Sequence, residues 1–143
     1  LAAHVRAAAM RLPAVSLGAG LEQAPYIEGD ARRIDQALTN LLENARTAAA
    51  AKEGDTGARP AHVHLDAEAR EGALLLHVCD DGPGVPQEIR ERLFEPFASR
   101  SPGGTGLGLS IVARIMNAHG GSVALTERAP WRTCFTLSFP RTP

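Results

Sequence analysis

Apolar residues recur at helical spacing through Ile34, Ala37, Leu38, Leu41, Leu42, Ala45 and Ala48, which predicts one helix from about Asp30 to Ala51 with a single apolar face. Asp30, following Gly29, is suited to cap its first turn. Asn40 and Asn44 stand four residues apart on it, so their amides point the same way. The period then changes to two. Val63, Leu65, Ala67 and Ala69 alternate with His62, His64, Asp66 and Glu68, and Glu71-Gly72 supplies a turn into Ala73 to Cys79, predicting a β-hairpin. A second amphipathic helix is predicted over Leu107 to Ala118, with Leu109, Val112, Ile115 and Met116 inward and Gly120-Gly121 as its stop. Ser122 to Glu127 and Thr133 to Phe139 read as the last strands, joined through Ala129-Pro130. Weaker signals predict β-like pieces at Val15 to Leu17 and Tyr26 to Glu28 and a short helix at Gln87 to Leu93. Lys52 to Pro60 and Ala98 to Gly104 read as loops. The alanine-rich Ala2 to Leu12, ended by Pro13, reads as the tail of an upstream helix or linker (1–12), with one domain over 13–143. The fold class is α/β: a two-layer sandwich with helices on one face of a mixed, mainly antiparallel sheet.

Composition supports that picture. A chain of 143 residues that is 44% hydrophobic and 22% charged can bury one core. Its net charge of -1, with 14 arginines and the single Lys52 scattered along it, offers no basic face for nucleic acid. No apolar stretch approaches the ~20 residues that span a bilayer, so no membrane contact is expected of this piece. Leu1 is neither an initiator Met nor the start of a signal peptide, so the chain reads as part of something longer. Cys79 and Cys134 lie far apart inside apolar runs and read as two core thiols of a reducing compartment.

The candidate chemistry sits where glycines cluster. Gly104-Thr105-Gly106-Leu107-Gly108 opens a helix, where unpaired N–H groups and the helix dipole favour an anion, most naturally a phosphate. The loop lacks the Gly-Lys-Ser/Thr ending of a P-loop and follows no Rossmann strand. A second loop, Asp80-Asp81-Gly82-Pro83-Gly84, follows an apolar strand. A carboxylate there costs several kcal/mol unless a donor meets it. A purine amine would be such a donor, with Gly82 and Gly84 leaving room for a flat ring; alternatively Asp80 and Asp81 cap the following turn. The carbonyl of Asn44 is a competent Mg²⁺ ligand, and Glu43 beside it could polarise a water or orient the metal's shell.

Asn40-Leu41-Leu42-Glu43-Asn44-Ala45, Asp80-Asp81-Gly82-Pro83-Gly84, Phe94-Glu95-Pro96-Phe97 and Gly104-Thr105-Gly106-Leu107-Gly108-Leu109 occur in that order. Together they resemble the N, G1, F and G2 boxes of bacterial sensor histidine kinases, and His119-Gly120-Gly121 resembles the family's usual end to the helix after G2. The resemblance implies the Bergerat ATP-binding fold, a mixed sheet covered by about three helices, with ATP held under a lid. By position, Asn44 would ligate Mg²⁺ and Asn40 would contact phosphate and metal shell. Asp80 would take the adenine amine, and Gly82 and Gly84 would admit the base. Gly104, Gly106 and Gly108, with Thr105 and Leu107 between them, would form the lid hinge and phosphate cradle. Phe94 and Phe97 would anchor the lid.

The pattern also departs from the family. Many members carry a base three residues after the metal asparagine, where this chain has Thr47; Arg46, Lys52 or Arg100 would have to supply the cation. None of the histidines stands in a phosphoacceptor context. The resemblance therefore implies a protein-histidine kinase's catalytic domain alone, cytoplasmic, transferring the γ-phosphoryl of Mg·ATP to a histidine on a separate dimerisation domain, with a response regulator downstream. A regulatory module that binds nucleotide without transfer and a serine kinase of the anti-sigma-factor type are the alternatives. The gyrase, mismatch-repair and chaperone ATPases of this fold carry a glutamate four residues before the metal asparagine, where this chain has Asn40.

Overall fold

A computed structural model describes residues 15–17, 29–56, 63–70, 72–82, 84–85, 87–95 and 108–140. Within them, β1 (Val15–Leu17) is followed by α1 (Ala31–Thr56), β2 (Val63–Arg70) and β3 (Ala73–Asp80). A 3-10 segment (Gln87–Arg92) then leads to α2 (Gly108–Ala118), β4 (Ser122–Arg128) and β5 (Trp131–Pro140). The five strands form one sheet in the order β1-β2-β3-β5-β4. β1 runs parallel to β2, so α1 is the crossover between them, and every other neighbouring pair is antiparallel. β5 lies between β3 and β4, and α2 makes the connection that spans it. The mixed sheet and one-sided helical layer are those expected.

The layers follow from periodicity. On β2, Val63, Leu65 and Ala67 are buried while His64, Asp66 and Glu68 alternate outward. On α1 the helical stripe Ile34, Ala37, Leu38, Leu41, Leu42 and Ala45 is buried, and on α2 so are Leu109, Val112, Ile115 and Met116. These faces meet Leu74, Leu76, Val78, Phe135, Leu137 and Phe139 of the sheet in one core. Phe94 joins its edge, its ring meeting Phe135 edge-on at 6.1 Å.

Three expectations need correction. The segment from Lys52, expected as a loop, is helical through Thr56: Ala48 to Ala51 and the following Lys-Glu pair are strong helix formers, and Gly54 costs only about 1 kcal/mol against them. The short helix after Pro86 is a 3-10 segment with no buried residue, so it lacks an apolar stripe to hold a longer α-helix. The cysteines are not thiols but a disulfide, Cys79–Cys134. They face each other in register on β3 and β5, a juxtaposition 55 residues apart in sequence that only the sheet reveals.

That disulfide lies on the sheet face away from the helices, yet Cys79 and Cys134 are only 1% and 0% exposed. A register shift between Thr126 and Arg128 sets two residues of β5, Arg132 and Thr133, against one of β4, Glu127, and turns Trp131 to the outer face. There its ring stacks on His64 of β2, 5.4 Å between centroids. The stack crosses the strands that carry the sulfurs. The Ala2 to Leu12 and Tyr26 to Glu28 expectations lie outside the described residues.

Candidate functional site

The four-residue spacing places Asn40 and Asn44 on one flank of α1, half-buried beside the packed Leu41, Leu42 and Ala45. Asn40 Nδ2 donates to the carbonyl oxygen of Gly108, the first residue of α2, over a long 3.5 Å. The two helices thus meet at the N-terminus of α2. Glu43 and Arg46 are turned to solvent, where they pair at 3.2 Å with side chains 48% and 46% exposed. Such a pair contributes under ~1 kcal/mol to the fold, which leaves both groups available.

Asp80 closes β3 and is fully buried on the inner face, in alternation with Leu74, Leu76 and Val78. Its Oδ1 accepts the Gly82 N–H at 2.9 Å, so the turn-capping alternative holds for that oxygen. Gly84 has φ +89, a conformation costly for a side chain, and a Cβ there would meet nothing within 4 Å. The side-chain position of Gly84 therefore faces open space. Arg90 braces the loop, its Nε donating to Val85 O at 3.2 Å.

One residue the sequence reading missed stands directly across from Asp80. Thr133 of β5 is its register partner, 1% exposed, and its Oγ1 has no hydrogen-bond partner among the described residues. A buried unsatisfied hydroxyl costs about 1–3 kcal/mol, so its retention beside a buried carboxylate marks the end of β3 and β5 as a place for a polar ligand. The available signal was a threonine occupying an inward position in the alternation Thr133, Phe135, Leu137, Phe139.

On the opposite face, His77 Nδ1 lies 2.8 Å from Thr136 Oγ1, and its Nε2 lies near Glu68 and Arg128. Burial pushes the His77 pKa below its ordinary value, Arg128 adds to this, and Glu68 opposes both. Hydrogen bonds from Arg70 and then His77 hold Glu68 below the usual carboxylate range. This cluster is structural and distant from Asp80's face of the sheet. Among the described residues no three carboxylate, imidazole or thiol groups converge as a metal cage. A divalent ion at Asn44 would therefore rest on an amide oxygen, ligand oxygens and water. Arg100, Gly104, Thr105, Gly106, Leu107 and Phe97 lie outside the described residues.

A mixed sheet backed on one face by helices, with an asparagine-bearing helix beside a strand that ends in a buried aspartate, is the Bergerat type of ATP-binding fold. The chain belongs to the family described as histidine kinase-, DNA gyrase B-, and HSP90-like ATPase, whose model matches residues 29–143. It is 39% identical over 125 residues to the sensory histidine kinase/phosphatase NtrB of Rhodobacter capsulatus, covering 83% of this chain and 35% of that protein. The catalytic domain of histidine kinase ThkA superimposes with a TM-score of 0.78 at 26% identity, over 99% of this chain and 94% of that one. ThkA solved in complex with the response regulator TrrA matches with a TM-score of 0.76 at 25% identity, over 100% and 41%. Full-length ShkA in complex with AMPPNP matches with a TM-score of 0.76 at 27% identity, over 99% and 30%. The chain spans roughly a third or less of the curated relatives it matches, 35% of NtrB and 13% of an NtrY from Azorhizobium caulinodans. No described helix is long and apolar enough to cross a membrane.

Proposed function

We propose that this domain binds Mg·ATP between α1 and the ends of β3 and β5 and donates the γ-phosphoryl group to a histidine on a separate dimerisation domain, from which a response regulator receives it. The observation that carries the nucleotide reading is the buried Asp80 opposite the unsatisfied Thr133 Oγ1. An adenine amine gives the carboxylate a donor, and a ring nitrogen or ordered water gives the hydroxyl a partner. Gly82 and Gly84 leave room for the base. Asn44 holds Mg²⁺ by its carbonyl oxygen, Asn40 contacts phosphate and metal shell, and Glu43 orients a water of that shell. Gly104 to Gly108, through the backbone amides of Thr105 and Leu107, cradle the phosphates, with Arg46 or Arg100 as the added cation. The domain runs over 13–143 after an upstream segment, and works in the cytoplasm.

In the transfer an imidazole nitrogen of the acceptor attacks the γ-phosphorus, the bond to the bridging oxygen breaks with its electrons leaving on ADP, and the imidazole loses its proton. The domain contributes positioning and charge neutralisation. The likeness to ShkA with AMPPNP and to ThkA with TrrA supports the nucleotide and the response regulator respectively. The test mixes this chain with the parent's dimerisation domain and γ-labelled ATP. Label on an acid-labile phosphohistidine of the added domain is expected, and none on this chain; nucleotide binding without any transfer would refute the kinase assignment.

A further inference from the structure

Asp30 caps α1, its Oδ1 accepting the amides of Arg32 at 3.0 Å and Arg33 at 3.4 Å. The backbone N–H of Asp30 itself donates to His119 Nε2 at 2.9 Å. The other ring nitrogen, Nδ1, lies 2.8 Å from the carbonyl oxygen of Ile115. An amide N–H only donates and a carbonyl only accepts, so the ring stands neutral with its proton on Nδ1 and Nε2 bare. One imidazole thereby joins the cap of α1 to the last turn of α2.

The surroundings hold this ring in place. Gly120, at φ +73, and Gly121 close α2 through Gly120 N to Asn117 O at 3.1 Å and Gly121 N to Met116 O at 2.9 Å, the paired bonds of a Schellman turn. A Cβ on Gly121 would run into Ser138 O, so the turn is seated against β5. A Cβ on Gly29 would come within 2.8 Å of His119 Cδ2, so the ring packs directly on the glycine before the cap.

A second tie joins the same helices at the other end, where Asn40 reaches Gly108. From Asp30 to Asn40 and from Gly108 to His119 are nearly equal numbers of residues, about 15–17 Å of helix in each. The helices therefore lie antiparallel, held at both ends of one seam. One bond crosses the seam at each end, 2.9 Å at His119 and 3.5 Å at Asn40, and only the His119 ring is held by a second short bond, to Ile115 O within its own helix.

We propose that His119 is a positioning residue for the phosphate end of the nucleotide site: its neutral ring fixes α1 against α2 so that the flank of α1 bearing Asn40 and Asn44 keeps its register with Gly108, where α2 begins. This rests on the Mg·ATP reading above. A slip of even ~1 Å at such a site is costly to ligand geometry. The residue touches neither nucleotide nor metal and acts through the two helices.

ATP affinity with and without Mg²⁺, in the wild-type chain, His119→Phe and His119→Gln, tests this. Phe keeps a ring on Gly29 without either nitrogen, and Gln carries an acceptor at about the reach of Nε2. The Mg²⁺-dependent gain in affinity is expected to fall roughly three- to tenfold in the Phe variant and recover in the Gln variant, with metal-free affinity unchanged. Nitrogen-15 NMR of the wild type should show the Nδ1–H tautomer. A wild-type metal gain in the Phe variant, an equal loss with and without metal, or an Nε2–H ring would each overturn the proposal. Should the Phe variant not fold, the Gln variant and the tautomer decide. A wild-type chain that binds no ATP overturns instead the nucleotide reading on which the proposal rests.

Discussion

Reducing the Cys79–Cys134 bond perturbs the fold by an amount that can be worked from its place in the chain. The bond closes a loop of 55 residues. Chain-entropy bookkeeping gives about 14 cal/mol/K for a loop of that length, or about 4 kcal/mol at 25 °C taken from the unfolded state's freedom. For a domain of this size that is roughly 10–15 °C in Tm. The core should still hold the reduced protein folded at 25 °C, because Leu38, Leu41, Leu42, Leu65 and Leu76 are fully buried regardless of the bond. Both cysteines are buried, so native protein should react slowly with a dithiol reductant and quickly once unfolded. The assay is urea and thermal unfolding of oxidised and fully reduced protein, with thiols counted under denaturing conditions. Coincident midpoints for the two forms, or free thiols in unreduced denatured protein, would refute the reasoning.

Three further outcomes follow from particular side chains. Leu42→Ala empties a fully buried position between α1 and the sheet and should cost about 2–5 kcal/mol in urea unfolding. Thr133→Val removes a buried hydroxyl with no partner among the described residues, so stability should hold or rise while ATP affinity falls; a loss of stability with affinity intact would make that hydroxyl structural. His77 has a folded-state pKa depressed below its ordinary 6.5, so the unfolded chain takes up a proton first on acidification. Its contribution is complete above pH 6.5 and is lost as pH falls through the folded pKa; Glu68, also depressed, adds a loss below 4.5. His77→Gln should flatten the dependence of the urea midpoint just below neutrality, and an unchanged slope would show that other groups carry it.

Where the physics is local, the sequence was a good guide. The alternation of β2 and the apolar stripes of α1 and α2 require only a repeat distance and one buried face, and each emerges on the expected residues from Val63 to Ala67, from Ile34 to Ala45 and from Leu109 to Met116, while Ala69 at the end of β2 is exposed. Asn40, Asn44, Asp80 and the glycines at 82 and 84 were visible as residue types in recognisable order, because a ligand site needs its groups at particular turns and ends. The overrun of α1 to Thr56 was hidden by Gly54, whose loop signal is weaker than the helix around it. Register-dependent features stayed invisible. The Cys79–Cys134 bond, the Asp80–Thr133 pair and the shift that turns Trp131 outward all depend on how β5 lies against its neighbours. The tie from Asp30 to His119 spans 89 residues and involves a backbone group, which no side-chain pattern advertises.

On the proposed reading, nucleotide lies between α1 and the end of β3. Calorimetric titration of Mg·ATP into wild type, Asn44→Ala and Asp80→Asn tests it most directly, with circular dichroism to establish that each variant is folded. Tight binding by the wild type is expected, and its loss in both variants with secondary structure retained. Folded variants that bind Mg·ATP as the wild type does would contradict it.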